Sequence, residues 1–497
     1  MKLTLVYPTF GMEKNPVQPF GILYVAAALQ KADFEVSIID TSLFSGFDEF
    51  EQALSREKPD VLGFTIPTWL LNNSYKAIKI ARRVMPRIPI IVGGPHPTIQ
   101  AEEMLESFGA DVACIGEGEI TTVELCEALK NKTDLQRVKG IVYRDGDRFI
   151  RTPPREKVKD LDTLAWPARD LLNISAYLQQ PPNPPELYPL LGILASRGCP
   201  FSCTFCADTL HELFGKSIRY RSPKDVVDEM EFITHKYKLR GIRIVDDEFT
   251  ANNKWVMKFC DEMIRRKVKV SWSCNSRVDT VSEELIQKMK EAGCSYIIFG
   301  VESGSQQILD SLRKEIKVEE IKRAFAICNK YGLPTRCNLM VGSPGETMDT
   351  FNETKRLLSD IEPDFIIVGI TSPIPGTELY DQAKAKGITI AKSDSSIDRF
   401  QSLLILENFT HQETVGLVKN LFHHYFKIVA SYLYNPVQLF KKRHFFKAIF
   451  RYFYNMFAQN PRLCLSTVLH LVNYQKVRFG NALTVANVVE EQRKFIC

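Results

Sequence analysis

Three cysteines fall within one short loop, RGCPFSCTFCAD (197–208), at the spacing Cys-x3-Cys-x2-Cys: Cys199, Cys203 and Cys206. Thiolates this close wrap one soft metal site, either zinc or an iron–sulfur cluster. Structural zinc takes four ligands, and the nearest fourth is His211. A four-iron cluster held by three cysteines instead leaves one iron open, which is useful where a substrate or cofactor must coordinate it. The other nine of the twelve cysteines are scattered singly, with no second knuckle. Without a secretory signal they read as reduced cytosolic thiols rather than a disulfide framework.

A second set of polar residues falls where strand-like runs end: Asp246, Asp247 and Glu248 in IVDDEFT, Asn275 and Arg277 in NSRVD, Glu302 in FGVESGSQ, and Gly342 in MVGSPGET. SPIPGTELY (372–380) closes the series. Barrels and open α/β sheets bind ligands at the carboxyl ends of their strands. Earlier in the chain the equivalent ends carry Gly93, Gly94 and His96 in IVGGPHPT, then Gly116 and Glu117 in IGEGE. Small residues there allow a large planar or nucleotide-bearing ligand to approach the backbone. A dinucleotide is not expected, because no G-x-G-x-x-G follows the first strand.

These positions require a particular frame. Apolar strands at 2–8, 34–40, 61–67, 88–94 and 110–116 alternate with helical patterns near 20–32, 47–58, 72–85 and 119–130. Five such units predict a doubly wound, Rossmann-like domain over 1–139. Prolines at 153, 154, 167 and in PPNPP (181–185) mark 140–189 as a linker. The rhythm resumes with strands at 190–196, 241–246, 269–275, 296–301, 335–341 and 364–370, which fit a partial (β/α)6 barrel over 190–400. Residues 401–497 read as a helical, basic and aromatic extension.

The 497 residues bear a net charge of +5, but residues 411–497 hold 12 Lys and Arg against 3 Asp and Glu. The remainder is slightly acidic and offers no nucleic-acid footprint. No apolar run reaches the roughly 18 residues of a membrane span, and a cytoplasmic location is expected.

The cysteine loop, with Phe205 ahead of its third cysteine and the strand-end segments behind it, resembles the signature of radical S-adenosylmethionine (radical SAM) enzymes. The IVGGPHPT and IGEGE loops, with FGILYVAAAL (20–29), resemble the cobalamin-binding domain of the cobalamin-dependent branch. Together the resemblance covers residues 1–390. It implies a 4Fe–4S cluster on Cys199, Cys203 and Cys206 with SAM at the open iron. Asp246, Asp247 and Glu248 would lie near the methionyl end of SAM, with Asn275 and Arg277 beside them. Glu302 would face the ribose and Gly342 the adenine. Cobalamin would rest against Gly93, Gly94, His96, Gly116 and Glu117. The Asp-x-His-x-x-Gly motif that supplies an axial histidine in other cobalamin enzymes is absent, so His96 is expected to line the pocket rather than bind cobalt.

The resemblance further implies methyl transfer to an unactivated carbon: one SAM methylates the corrinoid and a second yields a 5′-deoxyadenosyl radical. A carbon without an acidic proton is not methylated by simple displacement, hence the radical route. Oxidative cyclases, such as the anaerobic magnesium-protoporphyrin cyclase, and rearrangement enzymes share that start and remain open. An RNA-modifying methylthiotransferase would carry a further cluster or a basic RNA-binding module, and a cobalamin sensor would have no use for the cysteine loop. The expected partners are a small, even lipid-like, substrate and a flavodoxin or ferredoxin reductant. At 437–457 a basic amphipathic pattern with aromatic residues predicts either a helical cap on the barrel or a peripheral contact with anionic lipid.

Overall fold

Uniformly apolar parallel strands need cover on both faces, and the first sheet receives it. The computed structural model describes residues 1–10, 18–178, 189–392 and 403–432. Strands β1 (Lys2–Tyr7), β2 (Glu35–Asp40), β3 (Val61–Thr65), β4 (Ile90–Gly93), β5 (Val112–Cys114), β6 (Ile141–Asp145) and β7 (Arg148–Arg151) lie in the order β2-β1-β3-β4-β5-β6-β7. The first five run parallel, and β6 and β7 are antiparallel additions. Val6, Leu62, Phe64, Ile90 and Val92 pack on one face with residues of helices Phe47–Glu57 and Leu71–Val84. Leu3, Leu5, Val61, Ile91 and Val112 pack on the other with Phe20–Lys31 and Gly118–Asn131. The strand order reverses at β1, so the ligand crevice of such a sheet lies beyond the carboxyl ends of β1 and β3.

The hairpin β6–β7 corrects the reading of 140–189 as a linker throughout. The prolines of that stretch begin only at Pro153, and Asp145-Gly146-Asp147 supplies the turn, with Gly146 at φ +59°. The two loop residues are Gly146-Asp147, and a Gly at the first central position of a two-residue loop is a hairpin signal in its own right.

The second sheet contains β8 (Leu190–Ile193), β11 (Gly241–Ile244), β12 (Ser271–Ser276), β13 (Cys294–Glu302), β14 (Thr335–Val341) and β15 (Phe365–Ile370), all parallel and in chain order. Between β8 and β11 a small antiparallel pair, β9 (Ser196–Arg197) and β10 (Arg219–Tyr220), brackets the cysteine loop. Helices cross between successive strands, as a parallel barrel requires. Ile242, Trp272, Ile297, Phe299, Cys337 and Leu339 point outward into the core shared with those helices. Trp272 is fully buried, and its ring N–H donates to the Ala292 carbonyl at 2.9 Å. By alternation, Arg243, Ser273, Tyr296 and Arg336 face the lumen.

Six strands do not close a barrel, and an open sheet leaves two edges to be covered. At β8 the Gly192 N–H donates to Gln18 Oε1 (2.7 Å), and its carbonyl accepts from Arg169 (2.9 Å). The Phe20 ring lies so close that a Cβ on Gly192 would stand 2.8 Å from it. At the other edge the helix His411–Tyr432 packs on β15, and the Tyr425 hydroxyl donates to the Asp364 carbonyl. A hairpin of β16 (Thr389–Lys392) and β17 (Leu403–Leu406) precedes that helix. The amphipathic segment at 437–457 lies outside the described residues. No helix among the described residues is long and apolar enough to cross a membrane.

Candidate functional site

The cysteine loop leaves β9 through Gly198, at φ +93°, where a Cβ would lie 3.1 Å from the Ser217 carbonyl. It is pinned from two later parts of the barrel: the Thr204 N–H donates to the Leu312 carbonyl (3.0 Å), and the Leu379 N–H donates to the Thr204 carbonyl (2.9 Å). Cys203 is buried, Cys199 half-buried and Cys206 exposed. Helix Ala207–Phe214 starts directly after Cys206. His211 is engaged elsewhere, its Nε2 lying 3.1 Å from the Cys199 carbonyl. Among the described residues no three His, Cys, Asp or Glu side chains converge tightly enough to hold a single ion. Three thiols spaced around one loop suit a cluster, in which each sulfur takes its own iron.

Positive charge gathers at Cys203. An Arg277 Nη lies 3.9 Å from its sulfur, and the guanidinium stacks 3.7 Å from the Phe201 ring centre. Asp279 holds Arg277 through two bonds of 2.9 Å, and the Lys314 carbonyl accepts a third. Lys314 pairs with Glu302 at 2.8 Å. Burial works against the Lys314 charge, yet Glu302 and Cys203 hold its proton above the ordinary lysine range. Burial pushes the Cys203 thiol up, against the pull of Lys314 and Arg277. Glu302 adopts φ +66°, unusual for a residue with a side chain, and its carboxylate folds back over Gly300.

The three acids after β11 separate by direction. Asp246 is buried and accepts from the Ala195 N–H (2.7 Å) and the Ser196 hydroxyl (2.6 Å). Glu248 accepts from the Thr250 N–H and hydroxyl at 3.1 and 2.7 Å. Burial pushes both carboxyls up to about 7. Asp247 alone of the three opens onto a cavity. Asn275 is committed to the Asp246 carbonyl at 2.9 Å. Gly342 lies under the barrel's covering helix, 3.1 Å from Thr414 at the Cβ position, and its N–H donates to Glu346 at 2.5 Å.

That cavity, about 430 Å³ and mostly apolar, lies between the first sheet and the cysteine-loop side of the barrel. Gly93, Gly94, Gly116 and Glu117 line one wall, and Leu210, Leu213, Phe214 and Asp247 the other. Gly94 takes φ +100° with Thr65 Oγ1 only 3.1 Å from its Cβ position, so no larger residue fits there without strain. His96 is not on this wall. The turn at Gly94 carries it into the protein, where Nδ1 lies 3.3 Å from Thr68 and Nε2 3.8 Å from Glu103. Burial pushes its imidazole down to about 4. The expectation that it lines the pocket is corrected.

Three residues of the site went unnoticed in the sequence: Arg197, Arg219 and Lys314. Arg197 of β9 donates to Glu117 (2.7 Å) and Glu119 (2.5 Å), and Arg219 of β10 donates to Glu117 at 3.0 Å. Burial opposes the charge on Glu117, but Arg219 and Arg197 keep its carboxyl below the usual range. Lys314, paired with Glu302, is the third. The arginines reach the Glu117–Glu119 loop from 78 to 102 residues away, beyond any local pattern, while Lys314 lies 12 residues from Glu302.

Residues 13–126 match the family model of the B12 binding domain, and residues 193–358 match that of the radical SAM superfamily. The chain belongs to the cobalamin-dependent radical SAM enzymes. Within that family it is 29% identical over 429 residues to an uncharacterized methyltransferase of Pyrococcus horikoshii, covering 85% of this chain and 92% of that one. It is 30% identical over 398 residues to the anaerobic magnesium-protoporphyrin IX monomethyl ester cyclase of Cereibacter sphaeroides, covering 77% and 64% respectively. Its fold is that of the radical S-adenosylmethionine methyltransferase TsrM from Kitasatospora setae, solved with cobalamin and a [4Fe-4S] cluster. The TM-score is 0.70 at 17% identity, over 85% of this chain and 88% of that one. The expected class, a Rossmann-like domain ahead of a partial barrel and a helical extension, is the fold of this radical SAM enzyme.

Proposed function

We propose that this enzyme transfers a methyl group to an unactivated carbon of a small organic substrate. The observation that carries the reading is the shared cavity: one wall belongs to the B12-binding domain and the other to the barrel mouth beside the cysteine loop. When bound, the cluster and SAM supply one-electron cleavage chemistry, and the corrinoid supplies a methyl carrier. Cys199, Cys203 and Cys206 would hold the cluster. Arg277 and Lys314 would offset the charge at Cys203, and Asp247 would face SAM. Gly93, Gly94 and Gly116 would let the corrinoid settle against the backbone, while the apolar wall excludes water. Asp246, Glu248 and Asn275 support the mouth of the barrel rather than the ligand.

The test is anaerobic reconstitution with a strong reductant and SAM. Methyl transfer produces S-adenosylhomocysteine alongside 5′-deoxyadenosine. 5′-Deoxyadenosine alone would favour oxidative cyclisation, the second reading, which the identity to the magnesium-protoporphyrin cyclase supports. Absence of both cluster and corrinoid uptake would end both readings. A flavodoxin or ferredoxin type reductant completes the proposal. The basic tail would add a peripheral contact with anionic lipid, read by salt-sensitive co-sedimentation with phosphatidylserine vesicles.

A further inference from the structure

The barrel lumen holds a group of polar residues that neither the cysteine loop nor the glycine-lined cavity uses. Arg243 of β11 and Ser273 of β12 are register partners on the lumen face. Ser273 is fully buried, and its hydroxyl has no hydrogen-bond partner among the described residues. The Arg243 Nε is likewise buried without a partner among them. Among the described residues, the side chains that act on Arg243 are Arg336 and Tyr296, neither of them an acid. Burial, with Arg336 adding repulsion of like sign, pushes the Arg243 guanidinium down to about 10. Arg336 is itself buried on β14 and donates to Asn338 at 3.1 Å.

Arg243 is half-buried, its Nη atoms reaching into the lumen while its Nε is shut off from water, and a shielded guanidinium nitrogen or a buried hydroxyl without a partner is costly. One oxyanion placed between Arg243, Arg336 and Ser273 removes both penalties. We propose that the lower lumen binds the anionic end, a carboxylate or a phosphate ester, of the substrate that reacts at the barrel mouth. This rests on the methyl-transfer reading for the reacting end only. On β13, a strand rising about 3.3 Å per residue and tilted about 36° places Gly300 roughly 10 Å above Tyr296, the register partner of Ser273. Ile298 lies on the lumen face between those levels, Ile367 is level with Gly300, and Met340 follows on the same face towards the mouth. The substrate class is therefore amphipathic: an anionic group, an apolar body about 10 Å long, and the reacting carbon beyond it.

Calorimetric titration of the anaerobically reconstituted full-length protein with octanoate, octyl phosphate and octanamide tests this. At least one anion should bind saturably, with octanamide weaker by tenfold or more, and the two anion arms distinguish a carboxylate from a phosphate end. Arg243→Met should weaken anion binding at least tenfold with cluster and corrinoid absorbance unchanged, and Arg243→Lys should keep most of it. Ser273→Ala, a smaller change, should weaken it by a few fold even where Arg243→Met fails to fold. Equal binding of octanamide, no saturable binding of either anion, or binding indifferent to both substitutions would overturn the proposal. The titration reads the lumen directly, so failure of the methyl-transfer reading in the product assay leaves its outcome standing.

Discussion

Replacing Arg197 by Met tests the join between the two domains. Its guanidinium lies between Glu117 at 2.7 Å and Glu119 at 2.5 Å, and 4.8 Å from the Tyr24 ring centre. All three charged side chains are buried. In the variant Glu117 keeps Arg219. Glu119 does not share that support: its other oxygen already lacks a partner among the described residues. Methionine preserves most of the apolar stem, so the loss is chiefly one of charge. Removing one partner of a buried pair costs about 3–5 kcal/mol. At about 2–4 °C per kcal/mol for a domain of this size, the melting temperature should fall by roughly 6–20 °C. Thermal unfolding under anaerobic conditions, followed by circular dichroism, measures it. Adding Glu119→Gln removes the stranded charge and should recover at least half of the loss, because the two residues are coupled. A single variant melting within about 2 °C of the parent, or a double variant no better than the single, would refute the reasoning.

Three shorter predictions concern the cofactor sites. Cys206→Ala should abolish both the cluster absorbance and reductive SAM cleavage, whereas Cys260→Ala, in the barrel core, should keep both and lose only about 1 kcal/mol of stability. Gly94→Val should block corrinoid uptake without altering the cluster spectrum, since it strains a φ of +100° beside Thr65; normal loading would place the corrinoid elsewhere. Asp246 and Glu248 titrate near 7 in the folded protein, well above an unfolded carboxyl. Their stabilising contribution is full below about pH 4 and is lost as the pH rises to about 7. Asp246→Asn should therefore gain stability relative to the parent between about pH 5 and pH 8, read as denaturant midpoints; a difference that does not change with pH would reject this.

Much of this architecture was legible because it is local. The apolar runs mark β1 to β5 and all six barrel strands to within a few residues, and the cysteine spacing is visible without any fold. What escaped is long-range or directional. Asp246, Asp247 and Glu248 look equivalent in sequence, but the chain beyond β11 turns only Asp247 into the cavity. His96 follows two glycines that do line the wall, yet the left-handed turn at Gly94 carries its ring away. The hairpin at Asp145-Gly146-Asp147 was masked by the prolines that follow it.

The covered edge of β8 bears on how such a tandem can be inherited. Gln18, Phe20 and Arg169 come from outside the barrel, yet they satisfy and shield the backbone of its first stave. A barrel released from its N-terminal neighbour would present bare amides and an uncovered glycine, an invitation to pair with a second molecule. The two halves are therefore poor candidates for independent exchange between genes. Recombination that separated them would deliver a sticky fragment rather than a smaller enzyme, which favours their descent as one unit.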